Sequence, residues 1–332
     1  MADRQIGHGY FCMAFGFTAT AWMQIVFDSR LMTGQRVLVT GGGSGLGKAM
    51  AEGFLALGAD VVICGRRKAV CDTVGADWRK RFPGQSVTTY GVDIRNAEAV
   101  EAMIEAIWAE APLTGLVNNA AGNFVAQTQD LSSRGFDAVA NTVFHGTFYV
   151  TNAVGKRWVA EAKEGGWAPG APYRSVLSII TSWVLNGSPY VVPSAMSKAG
   201  VAVMTKSLAV EWAKYGIRLN AVGPGEIPTE GMTKRLNPGE KAGKNSVLSM
   251  SNPMGRVGEL SELQNLASFL LAPGKCDWLS GETIMMDGAN ALATGGNFYA
   301  LNSWADEDWR GARAAIESQN SKDKDNRAQP EI

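Results

Sequence analysis

The sequence predicts an α/β fold, a single doubly wound parallel sheet of about seven strands covered by helices on both faces. Three observations predict it. From Gln35 onward, short and nearly continuous apolar runs alternate with longer stretches of helical periodicity, as expected of strands buried on both faces. The first of those runs enters a glycine turn, and helical spacing resumes directly after it. A chain of 332 residues also buries an ample core in one sheet without requiring a second domain.

The strand candidates are, in order, Val37 to Val39, Val61 to Ile63, Val87 to Tyr90, Leu116-Val117, Val176 to Ile180, Leu219 to Val222 and Ile284 to Met286. After the first strand, Leu46, Met50, Phe54 and Leu57 recur on one helical face. Val100, Ile104 and Ile107 form a second stripe. Val201, Met204, Leu208, Trp212 and Tyr215 form another, which Gly216 is expected to end. Gly165 to Pro172 reads as an exposed loop before the fifth strand.

Residues 1–30 are expected to be an extension outside the fold, 31–290 the sheet domain, and 291–332 an aromatic segment with a polar tail. Tyr10 to Phe27 carries no charge, and Ala19-Thr20-Ala21 resembles a signal-peptidase site. Glycine, threonine and Gln24 dilute its hydrophobicity, so translation is expected to begin at Met23 or Met32, with export as the competing reading. Phe298, Tyr299, Trp304 and Trp309 form a cluster expected to dock on this subunit or a neighbour. The charged end from Ser318 is expected to stay disordered.

Lys plus Arg total 31 and Asp plus Glu total 31, and no long run of one sign occurs. That balance argues against nucleic acid and anionic membrane as partners and for a small-molecule ligand. The four cysteines lack any metal-ligand or C-x-x-C spacing, which points to buried thiols in a reducing compartment, the cytoplasm. With two histidines in the chain, neither a histidine-based metal site nor a Ser-His-Asp triad is expected.

Thr40 to Gly47 (TGGGSGLG) carries the ligand chemistry. Glycines let backbone N–H groups approach a pyrophosphate at the positive end of a helix, which places Gly41, Ser44, Gly45, Leu46 and Gly47 at a dinucleotide. About twenty residues further on, where an NAD site holds a carboxylate for the ribose 2′-hydroxyl, the chain has Cys64-Gly65-Arg66-Arg67-Lys68. Arg66, Arg67 and Lys68 offer three cations to a 2′-phosphate, and the directional arginine contacts above all indicate NADP(H); the competing reading is a basic start to a solvated helix. Asp93, after the third strand, can accept from an adenine amino group or can cap a helix; both readings stand at this point. Asn119 and Ala120, in Asn118 to Gly122, extend the cofactor cleft past the fourth strand.

These landmarks, with Ser197-Lys198 on a helix and Pro224-Gly225-Glu226-Ile227-Pro228-Thr229 after the sixth strand, resemble the short-chain dehydrogenase/reductase family from about Leu31 to Ala289. The resemblance implies a Rossmann-like subunit, usually a homotetramer. It also implies Lys198 on the nicotinamide ribose, with Pro224, Ile227 and Thr229 in the segment beside the carboxamide.

Most members of that family carry Tyr-x-x-x-Lys, whereas this chain has Ser194-Ala195-Met196-Ser197-Lys198. A serine hydroxyl is a poor proton donor to an alkoxide, which sets ordinary ketone chemistry aside. Asn118 to Phe124, Gly187 to Lys198 and Lys206 to Trp212 resemble more closely the NADPH-dependent 2,4-dienoyl-CoA reductases, which also place serine there. In their mitochondrial type, the asparagine matching Asn123 and a relocated tyrosine hold the thioester oxygen; Trp183 stands at that tyrosine's position here. Enoyl reduction needs an oxyanion stabilised rather than protonated, and Asn123, Thr181 and Ser194 offer donors beside Lys198.

The expected activity is therefore NADPH-dependent reduction of an unsaturated acyl-CoA, most simply a 2,4-dienoyl-CoA. The alternatives are a carbonyl reductase or alcohol dehydrogenase with an unusual proton donor, and a catalytically silent NADP-binding subunit. Tyr190 is read as a packed aromatic or one reaching the site, and His145 as a core or interface residue.

Overall fold

The seven apolar runs form seven parallel strands: β1 (Arg36–Thr40), β2 (Asp60–Gly65), β3 (Val87–Gly91), β4 (Gly115–Asn118), β5 (Arg174–Ile179), β6 (Ile217–Pro224) and β7 (Thr283–Met286). The computed structural model describes residues 27–168, 171, 173–229, 252–293, 303, 305–311 and 314. Strand order is β3-β2-β1-β4-β5-β6-β7, so the chain changes winding direction between β1 and β4. Val37 pairs with Val61 on one side and with Gly115 on the other. At such a switch point the following loops part and leave a crevice at the strands' carboxyl ends.

The connecting helices are α1 (Gly45–Ala56), α2 (Lys68–Arg81), α3 (Ala97–Glu110), α4 (Ser133–Ala140), α5 (Gly146–Gly165), α6 (Trp183–Asn186), α7 (Val192–Trp212), α8 (Leu260–Leu271) and α9 (Asn290–Ala293). One core packs Met50, Phe54 and Leu57 with Trp78 of α2 and Leu263 of α8. The other packs Val100, Ile104 and Ile107 with Trp158 of α5 and Trp212 of α7. Side chains of this size each contribute about 1.5–3 kcal/mol when fully buried. Gly216 ends the α7 segment with φ 69°, the left-handed turn open to glycine.

Three details differ from the sequence reading. Asn141–His145 is a π-helical turn that joins α4 to α5 in one continuous helical run. The Gly165 to Pro172 stretch is anchored at its start. There Trp167 packs so closely on Gly216 that a Cβ at Gly216 would lie 2.2 Å from the indole nitrogen, and its ring meets Tyr173 at 5.1 Å. Phe27 and Leu31 pack on the first core beside the fully buried Met32, so the packed domain includes residues before 31. The rest of the leading segment and Phe298, Tyr299 and Trp304 lie outside the described residues; Trp309 is half exposed. Among the described residues no helix is long and apolar enough to cross a membrane.

Candidate active site

Thr40, the last residue of β1, organises the crevice. Its hydroxyl accepts the N–H groups of Asn119 and Ala120, both at 3.0 Å, which draws the segment after β4 against the glycine turn. Gly41 follows with φ 66°, and its N–H reaches Cys64 O at 2.8 Å. Gly47 lets α1 close on β4, since a Cβ there would lie 2.3 Å from Asn119 Nδ2. The first turn of α1 holds no carboxylate, so its positive end is free for an anion.

A cavity of about 980 Å³ opens here. Its wall contains fifteen of the residues singled out from sequence: Gly41, Ser44, Leu46, Arg66, Arg67, Asp93, Asn119, Ala120, Asn123, Thr181, Ser194, Lys198, Pro224, Ile227 and Thr229. Gly45 and Gly47 are not in that wall. They act on the backbone instead: Gly45 takes φ 55° beside the Thr229 side chain, and Gly47 permits the helix contact just described.

At one end of the cavity, Arg66 and Arg67 line the wall without an ion pair among the described residues. Lys68, the third cation of the run, is taken by Asp72 at 2.7 Å. Bonds from Lys68 and Thr89 hold the Asp72 carboxyl below its ordinary value. Asp93 faces the cavity and is gripped by Arg95 through Nη2 at 2.6 Å and Nε at 2.9 Å. Those bonds lower the Asp93 pKa, and Arg66 adds to the effect. The cap of α3 is Asn96, which accepts from Ala99 N at 3.0 Å, so the helix-cap reading of Asp93 is set aside. Burial pushes the Cys64 thiol up to about 12 and raises Cys71 as well; both stay protonated and poorly reactive.

At the other end, Lys198 on α7 donates from Nζ to Ile179 O. The side chain is buried, and burial lowers its pKa to about 8. Ser194 precedes it by one helical turn, on the same face and equally buried. Across the cavity, the Oδ1 end of the Asn123 carboxamide is buried without a partner. A buried polar atom left this way is costly and fits a ligand donor or acceptor, whichever way the amide is turned.

Tyr190 does not line the cavity and is not packed. It is 56% exposed and sits at φ 64°, a backbone region uncommon for tyrosine. Its carbonyl accepts Ala126 N–H at 2.9 Å, joining the loop before α7 to the segment after β4. Both sequence readings of Tyr190 are therefore corrected. His145 is likewise no core residue: it is exposed in the π turn, with Nδ1 2.9 Å from Asn141 Oδ1. Thr142 and Asn290 also line the cavity and escaped the sequence reading. Ser188 and Pro189, inside the Gly187 to Lys198 stretch that carries the closer resemblance, line it too, as does Asn252, at the end of a loop from Glu226 that the sequence reading expects in the pocket wall.

The sequence profile described as short chain dehydrogenase matches residues 35–241. The chain belongs to this family. A Caenorhabditis elegans protein named probable 2,4-dienoyl-CoA reductase is 40% identical over 296 residues, covering 88% of this chain and 92% of the relative. A Bacillus subtilis protein named probable 2,4-dienoyl-CoA reductase, (2E)-enoyl-CoA-producing where the worm protein is (3E)-enoyl-CoA-producing, is 36% identical over 263 residues, covering 79% and 98%. Among solved structures, gluconate 5-dehydrogenase from Burkholderia cenocepacia, in complex with NADP and tartrate, superposes with a TM-score of 0.70 at 27% identity and covers 80% and 98%.

As a short-chain dehydrogenase this chain is notable for what its reactive end lacks. Among the described residues, no phenol and no imidazole lines the cavity. The glycine cradle, the unpaired arginines and the partnerless Asn123 carboxamide suit a phosphorylated dinucleotide and a carbonyl-bearing substrate. They do not supply a neutral acid at the carbonyl.

Proposed function

We propose that this protein is an NADPH-dependent reductase of unsaturated acyl-CoA thioesters, 2,4-dienoyl-CoA foremost, acting in fatty-acid oxidation. One observation carries the reading. Ser194 stands one helical turn before Lys198 in a cavity that also presents Asn123 and Thr181, a set able to bind an oxyanion and poor at protonating an alkoxide.

NADPH, when bound, supplies the hydride that adds to the conjugated chain. Arg66 and Arg67 hold its 2′-phosphate, the N–H groups around Gly41 and Ser44 its pyrophosphate, and Asp93 its adenine. Lys198 holds the ribose and adds positive potential. Pro224, Ile227 and Thr229 flank the carboxamide. As electron density moves to the thioester oxygen, Asn123, Thr181 and Ser194 donate to it, and water returns a proton to carbon. The names of the relatives and the NADP of the structural neighbour support the same assignment.

Assembly as a homotetramer and a cytoplasmic location belong to the proposal. Exposed Phe144, Phe148, Val203 and Val210 support the first, and the free thiols of Cys64, Cys71 and Cys276 support the second.

The test is NADPH oxidation on addition of a 2,4-dienoyl-CoA, with NADH much less effective. Failure of every dienoyl and enoyl thioester to oxidise NADPH would defeat the reading.

A further inference from the structure

Two carboxylate-bearing residues line the cavity among the described residues, Asp93 and Glu226. Asp93 sits at the arginine end, held by Arg95 and close to Arg66. Glu226, half-buried, belongs to the reactive end. Ile179 of β5 and Val222 of β6 are register partners. Lys198 donates to the carbonyl of the first, and Glu226 follows the second by four residues. A Cβ at Gly223 would lie 3.2 Å from the Thr181 carbonyl carbon, so the segment after β6 leaves the sheet against the segment that carries Thr181.

The main chain at Glu226 is pinned from both sides. Gly225 N–H reaches Met286 O at 3.0 Å, and Gly258 N–H reaches Glu226 O at 2.9 Å. A Cβ at Gly225 would lie 2.8 Å from Asp287 Cα, so glycine lets this segment close on the chain after β7. The hydride step leaves the carboxylate unused, because Asn123, Thr181 and Ser194 hold the oxyanion as donors and an ionised carboxylate only accepts. What Glu226 adds beside them is a group that takes up and gives back a proton.

Resting on the reductase reading, and on its oxyanion site in particular, we infer that the protein has a second activity, isomerisation of 3-enoyl to 2-enoyl thioesters, with Glu226 as the catalytic residue that moves the proton. Hydride addition at the δ-carbon of a 2,4-dienoyl thioester leaves a dienolate. Protonation at its α-carbon gives a 3-enoyl product, and protonation at its γ-carbon gives a 2-enoyl product. Removing an α-proton from the 3-enoyl product re-forms the same dienolate, so the donors that hold the thioester oxygen for one reaction serve the other. In this step the Glu226 carboxylate takes the α-proton, the C–H pair becomes the double bond to the thioester carbon, and the carbonyl π pair moves onto oxygen. The oxygen pair then returns, the double bond shifts to lie between the α- and β-carbons, and the γ-carbon takes the proton back from Glu226. Nothing is oxidised or reduced, and the carboxylate ends as it began.

The test gives the NADP⁺ complex a 3-enoyl-CoA that carries deuterium at the α-carbon. The unaltered protein is expected to form the conjugated 2-enoyl thioester, followed by its absorbance, with part of the deuterium recovered at the γ-carbon by NMR. That label measurement does not depend on any variant. Glu226→Gln keeps the size of the side chain and removes the base. It is expected to lower the isomerisation rate about 100-fold relative to its own NADPH oxidation with a 2,4-dienoyl-CoA. Three results would overturn the inference and leave the reductase reading intact: no conversion of the 3-enoyl thioester by a protein that oxidises NADPH with dienoyl-CoA, a γ-carbon without deuterium, or full conversion by a folded Glu226→Gln. Absence of both NADPH oxidation and isomerisation in the unaltered protein removes that reading and this inference together.

Discussion

Lys198 is a charged group held where water scarcely reaches it, and the sign of its titration yields two predictions. Burial lowers its pKa from 10.5 to about 8. Between those values the unfolded chain binds more protons than the folded one, so this group makes stability rise with pH across that window, and its penalty is full below about pH 8. Lys198→Met is therefore expected to stabilise the ligand-free protein at pH 7, by on the order of 3 kcal/mol, while abolishing turnover. Thermal denaturation beside an activity assay checks it, and a lower melting temperature would refute it. Activity that relies on the ammonium should hold below about pH 8 and decline above it, as a kcat/KM profile would show. Asn123 is tested differently because it does not titrate. Asn123→Ala should lower kcat about 100-fold, roughly 3 kcal/mol of transition-state stabilisation, with NADPH binding retained.

At the scale of elements, the junction of β2 and α2 decides cofactor choice. Lys68 is occupied by Asp72, so only Arg66 and Arg67 of the basic run remain for a 2′-phosphate. Replacing both by alanine should weaken NADPH binding about 10- to 100-fold and leave NADH little changed; titration calorimetry with both nucleotides decides it. Sequence made the sheet legible because strands buried on both faces must be apolar throughout, as Val37 to Val39 and Val61 to Ile63 are. It also brought fifteen site residues to one cavity, because glycine turns and strand ends fix where loops emerge. Features that depend on one residue of backbone geometry stayed hidden. The π turn at Asn141–His145 leaves the apolar spacing unchanged. Asn96 and Asp93 both have cap chemistry, three positions apart, and only the start of α3 chooses between them. Nothing in its neighbours announces that Tyr190 takes a left-handed φ. The partner of Lys68 lies one helical turn away, a spacing that solvated and ligand-facing lysines share.

At the scale of the whole molecule, the two long helices opposite the first core leave apolar surface uncovered. Met196, Val203 and Val210 recur every seven residues along α7, and Val210 is 81% exposed. Phe144 in the π turn and Phe148 on α5, four residues apart and also exposed, continue the stripe along that helical run. The two helices are closely joined there, since a Cβ at Gly200 would lie 2.5 Å from the Phe144 ring. A contiguous apolar stripe on two packed helices marks an association surface more often than bare solvent contact, and isologous pairing through such a face is how closed homo-oligomers form. A charge at its centre must be desolvated on pairing without a partner, which costs several kcal/mol per buried ion. The double variant Phe148→Asp and Val203→Asp is therefore expected to sediment as a smaller species than the unaltered protein while binding NADPH with the same affinity, because neither residue lines the cavity. Sedimentation velocity on both proteins decides the matter: an unaltered chain that runs as a monomer, or a double variant that still assembles fully, would show that this stripe does not hold the subunits together.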